Sequence, residues 1–445
     1  MTGTARPGAG LLLAALLIGS AWTAAGAQQL AFTPYHADGI YSVSETVGWT
    51  VAAAPGQSAA PGRYSFTVKR DGQTVIGSGS FDLASGRARI EISLAEPGMV
   101  LVEVRPPADL TGFRGESKSE VGRVLLGAAV APTGIRPAEP PPADFDSFWT
   151  AKLRSLRAAP MEAVLRPGES NRPGVEYWTV RLNGFNGAHV YGQLAKPAGN
   201  GPFPALLVFQ WASPPYPLQK SWVTDRAAEG WLAFNVEPHD VPSDLPQAFY
   251  DALPQIIRQY YLIGRRSREE SYFLGMYLGD VRAADYLATR PDWDGRTMVV
   301  TGISMGGQQS LAVAGLDSQV TALVVDVPAG GDAMGPLHGR APLYPNWDVA
   351  QPDIRRTAGY FDVASFAART AAPAMVALGF IDETCPPAGV WATFNQLRGP
   401  KEVVAMVTSP HNHMATPEEH LPWTRRSAEW LNALVRGAEP PPRQP

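Results

Sequence analysis

Hydrophobic residues recur along this chain with two different periods, and the change from one to the other divides it. Between Gln28 and Gly127 apolar and polar residues alternate in short runs, at 48–51, 64–68, 73–76, 88–92 and 99–104. Alternation at period two is the signature of strands that bury one face. Asp71-Gly72 falls between two of these runs and reads as a hairpin turn. Several strands in so short a stretch, with no helical period, predict a small all-β sandwich of immunoglobulin-like type over residues 28–130.

After this comes a proline-rich stretch, 131–143, with Pro132, Pro137, Pro140, Pro141 and Pro142, which reads as a stiff, extended linker. Phe145, Phe148 and Trp149 then fall at i, i+3 and i+4, the spacing of one helical face, with Asp144 placed to cap that helix. Runs at 175–182 and 189–195 flank a turn at 183–187 and read as an antiparallel hairpin. Beyond them the texture becomes apolar runs alternating with helical segments: 205–209, 232–236, 297–301, 323–327, 374–378 and 403–407. Near-continuous apolar runs of this kind are strands buried on both faces, so residues 144–436 predict a mainly parallel, doubly wound sheet. The stretch 245–288 reads as a long helical region, part feeding the strand at 297–301 and part able to overhang its end. Residues 423–435 read as a closing helix, and 437–445 as a proline-rich, frayed tail.

Charge and composition narrow the field. A formal net charge of -4 leaves no basic footprint, so nucleic acid is not expected as a partner. Residues 1–27 carry Arg6, a short apolar core at 11–18 and the small-x-small Ala25-Gly26-Ala27, the pattern of a cleavable export signal too short to span a bilayer. No later run is long and apolar enough for stable membrane insertion, so the expectation is a soluble periplasmic or secreted protein. Cys385 is the single cysteine, which rules out an intramolecular disulfide and cysteine-rich metal sites.

The chemistry centres on Gly302-Ile303-Ser304-Met305-Gly306, which follows the run at 297–301. With 44 glycines in the chain, G-x-S-x-G alone is a weak signal. Its place is the stronger one, a buried strand before and a helix after, which is where a nucleophile elbow exposes a serine. A serine that attacks a carbonyl needs a base and a carboxylate to orient that base. Asp382 lies in the loop after the run at 374–378, with Asp326 and Asp332 as rivals, and Glu383 reads as its solvated neighbour. His411 lies after the last run, with His413 two residues on as the alternative base. The two histidines lack a nearby third ligand, so no metal is expected, and no organic cofactor is called for. The Met305 amide, at the helix start, is the first candidate oxyanion donor, and an amide in 210–213, best that of Ala212, is the second. Trp211 and Tyr216 are candidates to wall a substrate pocket. The other histidines, His36, His189, His239, His338 and His420, read as structural or exposed.

Several of these pieces resemble one family: the opening Asp144-Phe145-Asp146-Ser147-Phe148-Trp149, the helix Tyr277-Leu278-Gly279-Asp280-Val281-Arg282-Ala283, the elbow with Gly307, and Tyr360-Phe361-Asp362-Val363 with 382–387. Together they are similar to the acetyl xylan esterase and cephalosporin C deacetylase group of α/β-hydrolases, carbohydrate esterase family seven. The resemblance implies removal of acetyl groups from sugars and short xylo-oligosaccharides through Ser304, Asp382 and His411. Three places depart from the family pattern. Met305 stands where glutamine is usual, Gln210-Trp211-Ala212 where a His-Gly-Tyr loop is usual, and His411-Asn412 where His-Glu is usual. The β-rich front is also outside the common single-domain form, so that form's ring-like hexamer is not carried over.

The sequence therefore predicts an exported serine esterase acting on small or oligosaccharide acetyl esters. Two rivals stand beside it: an exported peptidase of prolyl-oligopeptidase type, against which the short front region weighs because it cannot form a propeller, and a non-catalytic sugar-binding protein with a hydrolase fold.

Overall fold

The computed structural model describes residues 30–59, 61–107 and 122–442; the stretch read as an export signal and the last residues of the tail lie outside the described residues. The alternating front of the chain forms β1 (Leu30–Pro34), β2 (Ile40–Tyr41), β3 (Val47–Ala53), β4 (Tyr64–Arg70), β5 (Thr74–Phe81), β6 (Arg87–Ile92), β7 (Gly98–Arg105) and β8 (Val124–Val130). They lie in two sheets, β1-β3-β6 and β2-β8-β7-β4-β5. Successive side chains of a strand point to opposite faces. So Val47, Trp49 and Val51 of β3 meet Val100, Val102 and Val104 of β7 between the sheets, with Leu30, Tyr64 and Ile90.

Two strands, β7 and β8, depart from the expected half-burial; in β8 every residue but Leu126 is buried. In β7 every residue from Gly98 to Val104 is buried, because its outer face is covered too. Leu101 on that face packs with Leu125 and with Ile381 of the following region.

The remainder is built on nine strands: β9 (Val164–Gly168), β10 (Val175–Asn183), β11 (His189–Pro197), β12 (Phe203–Phe209), β13 (Leu232–Val236), β14 (Trp293–Ile303), β15 (Ala322–Asp326), β16 (Ala374–Gly379) and β17 (Lys401–Met406). Their order is β17-β16-β15-β14-β12-β13-β11-β10-β9. From β13 to β17 neighbours run parallel. The hairpin β10–β11 and strand β9 extend the sheet antiparallel at one edge. Helices flank it: α1 (Phe145–Ala158), α2 (Ser221–Ala228), α3 (Gln247–Asp251), α4 (Gln255–Arg258), α5 (Tyr272–Thr289), α6 (Met305–Leu316), α7 (Pro352–Ala358), α8 (Val363–Ala367), α9 (Pro387–Gln396) and α10 (Leu421–Leu434). Among the described residues no helix is long and apolar enough to cross a membrane.

Four local expectations are corrected. The helical region at 245–288 is broken into α3, α4 and α5: Pro254 stands between the first two, and between α4 and α5 the chain turns back on itself at Gly264, where φ is +61° and a Cβ would stand 1.9 Å from the Glu270 carbonyl. Asp144 sits at the start of α1 without capping it; its carboxylate takes Arg268 at 2.6 Å and the Tyr360 hydroxyl instead. The proline-rich stretch at 131–143 is docked: Ile135 is buried, and the Asn395 side chain of α9 donates to the Pro132 and Ile135 carbonyls at 2.8 Å each. The tail is tied back at least as far as Pro441, whose carbonyl accepts from Arg426 at 2.6 Å.

Candidate active site

Strand β14 ends at Ile303, helix α6 begins at Met305, and Ser304 between them has φ 56° and ψ −114°. A side chain held at such angles costs about 1–3 kcal/mol, so neighbours must enforce it. Ser304 N–H donates to the Asp326 carbonyl at 2.9 Å, while the Ser304 carbonyl accepts from Gln308 and Ala329, each at 3.0 Å. The flanking glycines are required by contact. A Cβ on Gly302 would meet Gly306 backbone at 2.3 Å, and one on Gly306 would meet the Phe209 carbonyl at 2.2 Å.

At this edge of the sheet the structure brings together three of the residues singled out above. Ser304 Oγ is 3.0 Å from His411 Nε2, and His411 Nδ1 is 2.7 Å from Asp382 Oδ2. With the proton on Nδ1 donated to the carboxylate, Nε2 is left as acceptor for the serine hydroxyl. The other Asp382 oxygen accepts the Thr384 and Cys385 amides at 2.8 Å each, which compensates the burial of that carboxylate. His411 is buried, whereas His413 is exposed and meets it edge-on, with ring centroids 5.3 Å apart. Desolvation by the surrounding protein and the neighbouring His411 hold the His413 pKa below its ordinary value. Cys385 also lies here, with its thiol against the Ser304 side chain; burial pushes the thiol pKa well up, so it stays protonated.

The rival acids are engaged elsewhere. Asp326 is fully buried and takes His420 Nε2 at 2.6 Å; Asp332 takes Arg340 at 2.6 Å and the Ala138 amide at 2.6 Å. Glu383, expected as a solvated neighbour, is exposed, and its carboxylate pairs with Arg123 of the front region at 2.6 Å. Among the described residues no group of three or more His, Cys, Asp and Glu side chains gathers to hold a metal ion.

Met305 opens α6, so its amide has no carbonyl a turn earlier to bond. Ala212 is buried in the loop after β12. That loop is tied from two sides by residues outside the original candidates. The Gln309 carboxamide of α6 donates to the Gln210 carbonyl at 2.7 Å and to the Met305 carbonyl at 3.2 Å, bridging loop and elbow. His239 Nε2 donates to the Ala212 carbonyl at 2.5 Å, and its Nδ1 faces the Tyr272 hydroxyl. Burial pulls the His239 pKa down to about 4, so the ring is neutral with its proton on Nε2. The available sequence signal was place: His239 falls just past the carboxyl end of β13, at the same edge as the other loops.

Beside this loop Trp211 is exposed and lies stacked on Tyr216, with ring centroids 4.5 Å apart and planes at 22°, and Trp222 meets it edge-on. Tyr216 thus backs Trp211, its hydroxyl shielded from solvent.

A serine on a strand-to-helix elbow of a mainly parallel sheet, facing a histidine at the sheet's carboxyl edge, belongs to the α/β-hydrolases. Within that class the chain belongs to the acetyl xylan esterase (AXE1) family, whose model matches residues 133–332 and 347–427, and it is a serine ester hydrolase. Among its relatives is the acetyl esterase Axe7A of Xylanibacter ruminicola, 28% identical over 394 residues that cover 86% of this chain and 87% of that protein. The fold is shared with the acetyl xylan esterase from Paenibacillus sp. R4, at TM-score 0.56 and 24% identity over 66% of this chain and 97% of that one. It is shared equally with acetyl xylan esterase 1 from Thermoanaerobacterium sp. JW/SL YS485, at TM-score 0.56 and 21% identity over 68% and 97%.

Proposed function

We propose that the protein is an exported carboxylesterase that removes acetyl groups from acetylated sugars or xylo-oligosaccharides, with Ser304, His411 and Asp382 as its catalytic residues. The observation that carries this reading is the unbroken line of hydrogen bonds from Ser304 Oγ through His411 to Asp382. His411 Nε2 takes the hydroxyl proton as Ser304 Oγ bonds to the acetyl carbon, and Asp382 offsets the imidazolium charge that forms. The Met305 and Ala212 amides hold the oxyanion, a role in which one donor is worth roughly a hundredfold or more in rate. The sugar hydroxyl leaves with the proton from His411. Water then attacks the acetyl-enzyme by the same route and releases acetate, with no cofactor in either half.

The substrate class is supported by the family and by the names of the relatives, and by the exposed indole of Trp211 beside Ala212, a flat apolar face of the kind on which sugar rings stack. Export is supported by the pattern of residues 1–27. The test is acetate release from acetylated xylo-oligosaccharides and 4-nitrophenyl acetate, with Ser304→Ala beside the parent chain. Turnover that survives the replacement overturns the reading; cell fractionation with and without residues 1–27 tests export separately.

A further inference from the structure

The loop that carries Asp382 leaves β16 at Gly379 and is contacted by the front sheet at each residue around the aspartate. Gly127 of β8 lies so close to Phe380 that a Cβ there would stand 2.6 Å from the Phe380 Cβ and 2.7 Å from its carbonyl. Ile381 packs with Leu101 of β7 and Leu125 of β8. Glu383 receives both arms of Arg123, Nη1 to Oε1 at 3.1 Å and Nη2 to Oε2 at 2.6 Å. The Arg123 side chain is only 12% exposed, and it also lies 3.6 Å from Glu103 of β7, which Lys69 and Arg105 share. Asp382 alone in this run sends its side chain to His411. Between the two surfaces is a cavity of about 110 Å³, lined by Leu101, Phe380, Asp382 and Pro386 among others.

We propose that the front β-sandwich is a working part of the esterase site, with Arg123 as a positioning residue that holds Asp382 against His411 by clamping Glu383. The proposal rests on the reading of Asp382 as the catalytic acid. A bidentate guanidinium–carboxylate pair fixes direction as well as distance. It is joined to the carboxylate it positions by a single peptide unit, so a slack clamp lets Asp382 drift. Displacement of a catalytic group by about 1 Å costs on the order of a hundredfold in rate.

The test uses the full chain with Arg123→Met, Glu383→Gln, the double variant and the conservative Arg123→Lys, assayed on 4-nitrophenyl acetate across pH beside thermal melts. Each single change to a non-ionic residue is expected to lower kcat by about tenfold with KM within about twofold, the double variant to lose no more than either single, and Arg123→Lys to recover part of the loss. The acidic limb of kcat/KM should move to lower pH in both singles, because a retreating Asp382 supports the His411 imidazolium less. A pure charge effect would instead move the limbs apart, up on losing the Arg123 cation and down on losing the Glu383 anion. Opposite shifts, unchanged kcat in both singles, or losses that multiply in the double variant overturn the proposal. Thr74→Val is the control: it removes another tie between the two regions, the hydroxyl donating to the Gly339 carbonyl at 2.9 Å, and should move the melting temperature without kcat. A kcat loss there equal to that of Arg123→Met also overturns it. Asp382→Asn separates the two failures. If it keeps activity the acid assignment fails; if it loses activity while Arg123→Met and Glu383→Gln are silent, only the clamp fails.

Discussion

The amide of Ser304 donates to the carbonyl of Asp326 at 2.9 Å, so the strained elbow leans on a residue whose own carboxylate is buried against His420 at 2.6 Å. Removing His420 leaves that carboxylate without its cation. We expect His420→Ala to cost about 3–5 kcal/mol of stability, read by chemical denaturation. The pH dependence has a definite sign. Burial raises the Asp326 pKa, with His420 pulling it part of the way back. Burial lowers that of His420, but the hydrogen bond and charge of Asp326 outweigh it and the net shift is upward. Both folded values lie above their unfolded ones, so both contributions are full in acid and fade as pH rises, that of Asp326 first. The parent should therefore lose a component of stability as pH climbs past the ordinary histidine range, and His420→Ala should lack that component.

Replacement of Ser304 or His411 by alanine should lower kcat by at least about 10⁴ with the far-ultraviolet circular dichroism unchanged. His413→Ala should cost less than about tenfold, since its ring is exposed and touches His411 only edge-on. Equal losses at the two histidines would reverse the assignment of the base.

His239→Leu should lower kcat by roughly tenfold or more with little change in KM, because the Ala212 carbonyl loses its donor and the loop proposed to hold the oxyanion loses its fixed point. The parent protein should also lose stability as pH falls from the ordinary histidine range towards about 4, the folded value of His239, since the unfolded chain takes up that proton first. A variant without the imidazole should lack this component.

Gly306→Ala tests the elbow itself. The added methyl meets the Phe209 carbonyl at 2.2 Å, backbone that has no room to yield. We expect at least about 1–3 kcal/mol of destabilisation, seen as a lower melting temperature or loss of soluble protein. Gly275→Ala, on α5 with nothing within 4 Å of its added Cβ, should be neutral or slightly stabilising.

What could be read from the amino-acid sequence was what local pattern encodes. The apolar runs become the parallel strands, and the order Ser304, Asp382, His411 converges because all three follow strand ends at one edge of the sheet. Periodicity could not separate His411 from His413; burial does. Nor could it show that β7 would be covered on both faces, or that Glu383 would find its partner 260 residues upstream, since such contacts leave no local trace. The break at Gly264 was missed for the opposite reason: helical composition on either side hid a single backbone turn that only glycine permits.

The stacking of Trp211 on Tyr216 also gives the molecule an optical handle. Among the described residues Trp211 is the one tryptophan left exposed, so a soluble quencher added to the protein reports first on that indole. A sugar laid across its face would shield it, and binding could then be followed as recovered emission in a chain whose Ser304 has been silenced, before any acetate is released.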